Sequence, residues 1–200
     1  GAFRLRGALA ERWKVTPDHV ILGNGSDEIL GLLARTFLSP GDEAVMAEHT
    51  FVIYKMEVKA AHGVAVEVPQ KNWRHDLPAM AAAITDKTRL LFVCNPNNPT
   101  GAVYSTEVLR QMADLARKHQ LLLLADEIYD KILYDDAKHI SLATIAPDVL
   151  CLTFNGLSKA YRVAGYRSGW LVITGPTDNA TSFIEGISLL ANMRLCPNVP

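Results

Sequence analysis

The sequence lacks the features that mark membrane, secreted and nucleic-acid-binding proteins. It has no apolar run that approaches the length of a membrane span, and no signal-peptide pattern at its start. Its 20 basic and 21 acidic residues leave a net charge of only −1, which indicates no basic surface for nucleic acid or lipid. We therefore expect a soluble protein with no nucleic-acid or membrane partner.

Cysteine is also scarce, with three in 200 residues. The three are widely spaced, and Cys94 and Cys151 lie within apolar strand patterns, whereas Cys196 does not. Buried free thiols are therefore favoured over disulfides. This use of cysteine indicates a reducing, cytoplasmic setting.

What the sequence does contain is a regular alternation of short apolar runs with amphipathic segments. With 49% hydrophobic and 20% charged residues, 200 residues suffice for one domain with a full core. The alternation predicts an α/β fold, a three-layer αβα sandwich with a mostly parallel, seven-stranded sheet. The predicted strands cover residues 19–22, 43–47, 63–68, 89–94, 121–125, 149–154 and 170–174. The predicted helices cover residues 27–38, 52–61, 77–84, 106–119 and about 180–193.

A glycine-rich turn, residues 23–28 (GNGSDE), joins the first predicted strand to the first predicted helix. Consecutive backbone amides at a helix N-terminus, with the helix dipole behind them, can bind a phosphate. The alternative is an ordinary turn in which Ser26 or Asp27 caps the helix. Asp27 and Glu28 would repel a phosphate unless they turn aside, and Glu28 replaces the third glycine of a dinucleotide-binding fingerprint.

Two further polar segments each follow an apolar strand. Residues 95–101 (NPNNPTG) form either a plain loop or a means of holding the Asn98 amide rigid for a ligand. Asp126 follows a strand that is nearly all leucine, where a carboxylate is costly to desolvate unless it is paired. It either caps the next segment or faces a cationic partner, and Tyr129 either reaches the same ligand or simply packs.

A lysine, Lys159, follows the strand predicted at residues 149–154, and Arg167 lies eight residues further on. In open α/β sheets, ligands bind beyond the carboxyl ends of the strands, which is where this lysine falls. Most lysines are nevertheless solvated surface charges. The segment superficially resembles a serine-hydrolase elbow around Ser158, but the last glycine of that motif is missing.

The four segments converge on one edge of the predicted sheet, because each follows the carboxyl end of a strand. Together they supply a phosphate cradle, a neutral hydrogen-bond donor, a carboxylate and a lysine. This set of groups matches pyridoxal phosphate, a phosphorylated aromatic aldehyde with a ring nitrogen. We expect no metal at this site.

The same segments carry a family resemblance. Residues 95–101, 125–129 (ADEIY) and 156–170 (GLSKAYRVAGYRSGW) resemble the fold-type-I, pyridoxal-phosphate-dependent aminotransferases of class I/II, and the resemblance covers essentially the whole chain. Up to about residue 95 the sequence is most similar to histidinol-phosphate aminotransferases. From about residue 101 it is most similar to bacterial alanine (glutamate–pyruvate) aminotransferases. A hybrid or designed chain is one explanation of this difference.

The resemblance implies the catalytic roles. Lys159 would form a Schiff base with the cofactor and move the proton as an amino group passes between an amino acid and a 2-oxo acid. Asp126 would pair with the pyridine nitrogen and keep it protonated. Tyr129, with Asn98, would hydrogen-bond the phenolic oxygen.

The resemblance also implies a set of cofactor-binding residues. Phe51 would stack on the cofactor ring, although a core phenylalanine is the alternative. Gly156 stands where many relatives have a serine that touches the phosphate. The residues expected to bind the cofactor are Gly25, Ser26, Asp27, Phe51, Asn98, Asp126, Tyr129, Lys159 and Arg167.

The resemblance finally implies a domain organisation. Residues 1–200 would form the large, cofactor-binding domain, with a core at about 1–178 and the start of the interdomain helix at about 179–200. The family's N-terminal arm and small C-terminal domain, with its substrate-binding arginine, are absent from these residues, and family members are homodimers. The two functions to weigh are an aminotransferase core and a cofactor-binding module or fragment with little or no turnover.

Overall fold

Seven strands form one sheet in the computed structural model, which describes residues 2–193. They are β1 (Val20–Asn24), β2 (Glu43–Ala47), β3 (Val64–Val68), β4 (Thr88–Cys94), β5 (Leu122–Asp126), β6 (Cys151–Gly156) and β7 (Ser168–Thr174). Their order across the sheet is β1-β7-β6-β5-β4-β2-β3. Only β7 runs against its neighbours, β1 and β6, so the prediction of a mostly parallel sheet is confirmed.

Helices connect most of these strands. Within residues 2–193 they are α1 (Phe3–Trp13), α2 (Ser26–Phe37), α3 (Val52–Ala60), α4 (Leu77–Ala82), α5 (Thr106–His119), α6 (Leu142–Ile145) and α7 (Thr181–Asn192). The apolar periodicity of five of them predicted their positions, whereas the single-turn α6 was not among the predicted helices. Cys196 and the end of the segment predicted at 179–200, from residue 194 on, lie outside the described residues. No helix in the part of the chain described here is both long and apolar enough to cross a membrane.

The core consists of two apolar layers, one on each face of the sheet. Successive side chains of a strand point to opposite faces, so Leu122 and Leu124 of β5 pack with α2, α3 and α7, whereas Leu123 packs with α4, α5 and α6. This arrangement confirms the three-layer αβα sandwich. Cys94 and Cys151 are buried free thiols in the two layers, as their apolar surroundings predicted.

The sheet topology brings several chain segments to one edge. Strands β1, β4, β5 and β6 run in the same direction, so their carboxyl ends meet there. The amino end of β7 lies at the same edge because this strand is antiparallel to β6. Arg167, which directly precedes β7, therefore reaches the residues that follow the other strands.

Candidate active site

A cleft at this edge contains nearly all the residues singled out from the sequence. All of the predicted cofactor-binding residues except Gly25 line it, and Gly25 is the residue immediately before the lining residue Ser26. Three further residues also line the cleft: Ile128, Ser158 and Ala164. The structure thus brings the predicted residues together, drawn from six segments of the chain.

The Gly25–Ser26 turn has a shape that larger residues would not allow. Gly25 has a φ of 76°, and a Cβ atom there would lie 2.5 Å from Nη2 of Arg167. A Cβ atom on Gly169 of β7 would lie 2.5 Å from the backbone nitrogen of Ser26. Gly25 therefore leaves room for the Arg167 side chain, and Gly169 lets β7 approach the backbone of the turn. Together they leave the N-terminus of α2 at the cleft.

Charged side chains surround this helix N-terminus. Nη2 of Arg167 lies 3.3 Å from Oδ2 of Asp27 and also donates to the carbonyl of Asn24 at 3.2 Å. The carboxylate of Glu28 turns back and accepts hydrogen bonds from the backbone and side-chain nitrogens of Asn24, at 2.8 and 3.2 Å. Glu28 therefore leaves the turn open to an anion, whereas Asp27 would compete with an anion for Arg167.

Asp126 ends β5 with its side chain buried, only 4% exposed, at the floor of the cleft. The Tyr54 hydroxyl donates to its Oδ2 at 2.5 Å, and the Ile128 backbone N–H donates to its Oδ1 at 3.2 Å. Burial raises the pKa of Asp126 to about 6, and the two hydrogen bonds act in the opposite direction. Among residues 2–193, no Lys, Arg or His side chain forms an ion pair with it. The site thus holds a buried acid that lacks a cationic partner.

Lys159 and Tyr129 line the same cleft as this acid. Lys159 is exposed in the turn after β6, and its Nζ lies 5.8 Å from the centre of the Tyr129 ring, within cation–π range. Tyr129 is half-buried and follows β5 by three residues. An amine and a phenol from two neighbouring strands therefore face one space.

Asn98 and Phe51 complete the walls. The loop that carries Asn98 is pinned by Asn97, whose Nδ2 donates to the His49 carbonyl at 3.0 Å and to Oγ1 of Thr100 at 2.8 Å. With the loop held by these bonds, the half-buried Asn98 side chain lies at the cleft. Phe51 precedes α3 and is also half-buried, so its ring contributes to both the wall and the core.

Tyr54 is the main residue of this region that sequence reasoning missed. It lies on α3, 72 residues from Asp126 in the sequence, and both are buried. Its position three residues after Phe51 could have indicated a shared helix face. No sequence pattern indicates which strand end that face meets, because the contact depends on how α3 packs on the sheet.

Comparison with known proteins identifies the family of this chain. Residues 1–194 match the family model for aminotransferase class I and II. The chain belongs to this family. The family is generally dependent on pyridoxal phosphate, which agrees with the cofactor expected from the sequence.

The aminotransferase relatives are similar over the full chain. An alanine aminotransferase from Mycobacterium tuberculosis is 56% identical over 210 residues, which cover 100% of this chain and 49% of the relative. A glutamate–pyruvate aminotransferase from Escherichia coli is 44% identical over 209 residues, 100% of this chain and 52% of the relative. A crystal structure of an aminotransferase from Escherichia coli superposes with a TM-score of 0.94 at 45% identity, and the match covers 98% of this chain and 50% of that one.

Two conclusions follow from the extent of these matches. The chain spans about half the length of the curated relatives it matches. Both halves of the chain align with one alanine aminotransferase, so a single relative accounts for the regions before and after residues 95–101.

Proposed function

We propose that this chain is the pyridoxal-phosphate-binding large domain of an aminotransferase, with a core at about 1–178 and the start of an interdomain helix from about 179. The carrying observation is the buried Asp126 carboxylate, without an ion-pair partner among the described residues, in the same cleft as Lys159. A ring nitrogen that becomes positively charged provides the partner that this carboxylate lacks. The donor set thus fits the cofactor.

The other residues fit the remaining groups of pyridoxal phosphate. The backbone amides of Gly25 and Ser26 at the N-terminus of α2, together with Arg167, would hold the phosphate. Asn98 and Tyr129 would donate to the phenolic oxygen, and Phe51 would cover one face of the ring. Asp27 would have to release Arg167 or share it, because the two side chains form an ion pair.

The chemistry then divides between cofactor and protein. When bound, pyridoxal phosphate supplies an electron-withdrawing ring that stabilises negative charge at the substrate Cα. Lys159 Nζ would hold the cofactor covalently and would accept and return the proton at the substrate Cα. Asp126 would keep the ring nitrogen protonated.

The names of the relatives support a substrate class. Relatives that span the full chain are an alanine aminotransferase and a glutamate–pyruvate aminotransferase. We propose that the complete protein exchanges an amino group between alanine and a 2-oxo acid. Such a protein would act as a homodimer in the cytoplasm. Size-exclusion chromatography with light scattering tests the oligomeric state, and a monomer at micromolar concentration would contradict the dimer.

Cofactor titration tests the proposal. Pyridoxal phosphate added to the purified chain should give a saturable visible absorption band, and borohydride reduction with peptide mapping should place the adduct on Lys159. Lys159→Ala should abolish the band, and Lys138→Ala, at an exposed lysine that does not line the cleft, should keep it. Adducts scattered over surface lysines would contradict the site.

Turnover is measured separately, as pyruvate formed from alanine and 2-oxoglutarate. Turnover that disappears with Lys159→Ala would support an aminotransferase. Cofactor binding without turnover would instead favour a binding module or a fragment that needs the rest of the relatives' length.

A further inference from the structure

The contact between Tyr54 and Asp126 joins helix α3 to the end of strand β5. We propose that Tyr54 is a positioning residue of the cofactor site, whose hydroxyl orients the Asp126 carboxylate and keeps it ionised for the ring nitrogen. This inference rests on the proposed function, since it concerns the acid that is to meet the cofactor. It adds to the site a residue that does not line the cleft.

The tyrosine ring is held on two sides. It stacks on Phe92 of β4 with centroids 4.5 Å apart and planes at 17°, and it meets the Phe51 ring edge-on at 5.6 Å and 86°. The side chain is 1% exposed. Because these contacts restrict the ring, the hydroxyl is directed at Oδ2 of Asp126, and the buried Cys94 thiol also lies beside it.

The hydrogen bonds of Asp126 are divided between its two oxygens. Oδ1 accepts from the Ile128 N–H and Oδ2 accepts from Tyr54, so each oxygen has one protein donor and retains acceptor capacity toward the cleft. Hydrogen bonds to an ionised carboxylate favour the charged form. The Ile128 bond is made within the chain segment of Asp126 itself, which leaves Tyr54 as the donor that α3 brings from outside.

The surroundings of Asp126 otherwise favour its protonated form. Burial has the largest effect, and the nearby charges of Glu127 on the same strand segment and Asp27 on α2 act in the same direction. Cys94 on β4 is a buried thiol, and its pKa is raised well above the usual range, so it adds no charge. On the cleft side the neighbouring ionisable groups are those of Lys159, Tyr129 and Arg167.

Tyr54 itself stays a donor over the whole working range of pH. Burial and the adjacent Asp126 charge raise the pKa of its phenol well above the usual value. A phenol that does not ionise can stabilise the neighbouring carboxylate without competing for its charge. Loss of this hydroxyl would leave a buried carboxylate with one donor fewer, in surroundings that already disfavour the charge.

The first test uses the cofactor-free chain. Tyr54→Phe keeps the ring contacts and removes only the hydroxyl. In protein labelled with ¹³C at the aspartate carboxyl carbons, the Asp126 signal is assigned by its loss in Asp126→Asn and followed through a pH titration. We expect Tyr54→Phe to increase the proton affinity of Asp126 roughly tenfold, the effect of one hydrogen bond to a charged group. The control, Tyr104→Phe, removes another buried tyrosine hydroxyl, one that accepts from the backbone N–H of His75, and should leave this titration unchanged.

The second measurement concerns pyridoxal phosphate. At pH 7, Tyr54→Phe should weaken cofactor binding several-fold, and this loss should vanish when both proteins carry Asp126→Asn. An unchanged Asp126 titration in Tyr54→Phe would overturn the inference, whatever the cofactor result. If the wild-type chain does not bind the cofactor, the proposed function fails, but the titration still decides the role of Tyr54.

A double variant covers the case in which Tyr54→Phe unfolds. Tyr54→Phe with Asp126→Asn removes the carboxylate that needs the hydroxyl, so it should regain the thermal stability that the single change loses. A double variant as unstable as Tyr54→Phe would show that the hydroxyl serves packing alone and would contradict the inference.

Discussion

Asp126 and Glu127 are adjacent acids with opposite surroundings. Both are buried, with 4% and 2% of their surface exposed. Asp126 faces the cleft, where it accepts from two neutral donors and forms no ion pair with a residue in the range 2–193. Glu127 accepts hydrogen bonds from Oγ of Ser141 and the Leu142 N–H, both at 2.9 Å, and its Oε2 lies 3.1 Å from Nε2 of His139.

The difference follows from strand geometry. Successive side chains of β5 point to opposite faces of the sheet, so Asp126 continues the side of Leu122 and Leu124, with α3 and the N-terminus of α2. Glu127 continues the side of Leu123, where Leu142 at the start of α6 packs. Glu127 has both hydrogen-bond donors and a histidine as partners, and it holds residues 139–142 on the core. Asp126 has hydrogen-bond donors alone, so it is the acid available to a cationic ligand.

The largest effect on stability is expected from a substitution of Glu127. Glu127→Leu leaves the Ser141 hydroxyl, the Leu142 N–H and His139 without their buried acceptor, so we expect a loss of about 3–5 kcal/mol in the free energy of unfolding. Urea unfolding followed by circular dichroism measures this loss. Glu127→Gln keeps one acceptor oxygen and should lose clearly less. A loss below about 1 kcal/mol in Glu127→Leu would show that the network contributes little to stability.

At Asp126 we expect a neutral substitution to have the opposite effect on stability. The pKa of Asp126 in the folded chain is about 6, against an ordinary value of 3.8, so the unfolded chain loses this proton first. The contribution of Asp126 to the stability of the cofactor-free chain therefore falls as pH rises from about 4 to about 6, by about 3 kcal/mol in all. Asp126→Asn avoids this loss, so it should be more stable than the wild type at pH 8 and similar to it at pH 4.

Cofactor binding should move the other way in the same variant. Asp126→Asn offers no charge to a protonated ring nitrogen, so its affinity for pyridoxal phosphate should fall at least tenfold. Thermal unfolding at pH 4 and pH 8, with and without cofactor, measures both effects. A variant that is less stable at pH 8 and still binds the cofactor normally would refute the view that Asp126 is kept for a ligand at a cost in stability.

Sequence patterns predicted the sheet and the edge that carries the cleft, because strand periodicity and parallel topology determine which chain ends meet. They predicted Lys159 and Asp126 as neighbours for the same reason. They did not predict Tyr54, or the partners of Glu127, since these contacts depend on how helices separated by many residues pack on the two faces. The ion pair of Asp27 with Arg167 also escaped prediction, because it requires the reversed direction of β7.

The smallest effect on stability is expected at His75. Its contribution has the opposite pH dependence to that of Asp126, so the two must be separated before the Asp126 contribution can be measured. This histidine is 8% exposed and its ring packs at a tilt against Tyr104, with ring centroids 4.7 Å apart, and burial lowers its pKa to about 4 from an ordinary 6.5. The unfolded chain therefore binds this proton first as pH falls, and stability is lost between about pH 6.5 and pH 4, by about 2 kcal/mol at pH 5. Between pH 4 and pH 6 this slope opposes that of Asp126 and masks it.

The variant His75→Phe keeps an aromatic ring against Tyr104 and should remove the loss of stability on acidification. The difference in the free energy of unfolding between variant and wild type should therefore grow from near zero at pH 8 to about 2 kcal/mol at pH 5. Urea unfolding at several pH values measures this difference, and a difference independent of pH would assign the effect of the substitution to packing alone.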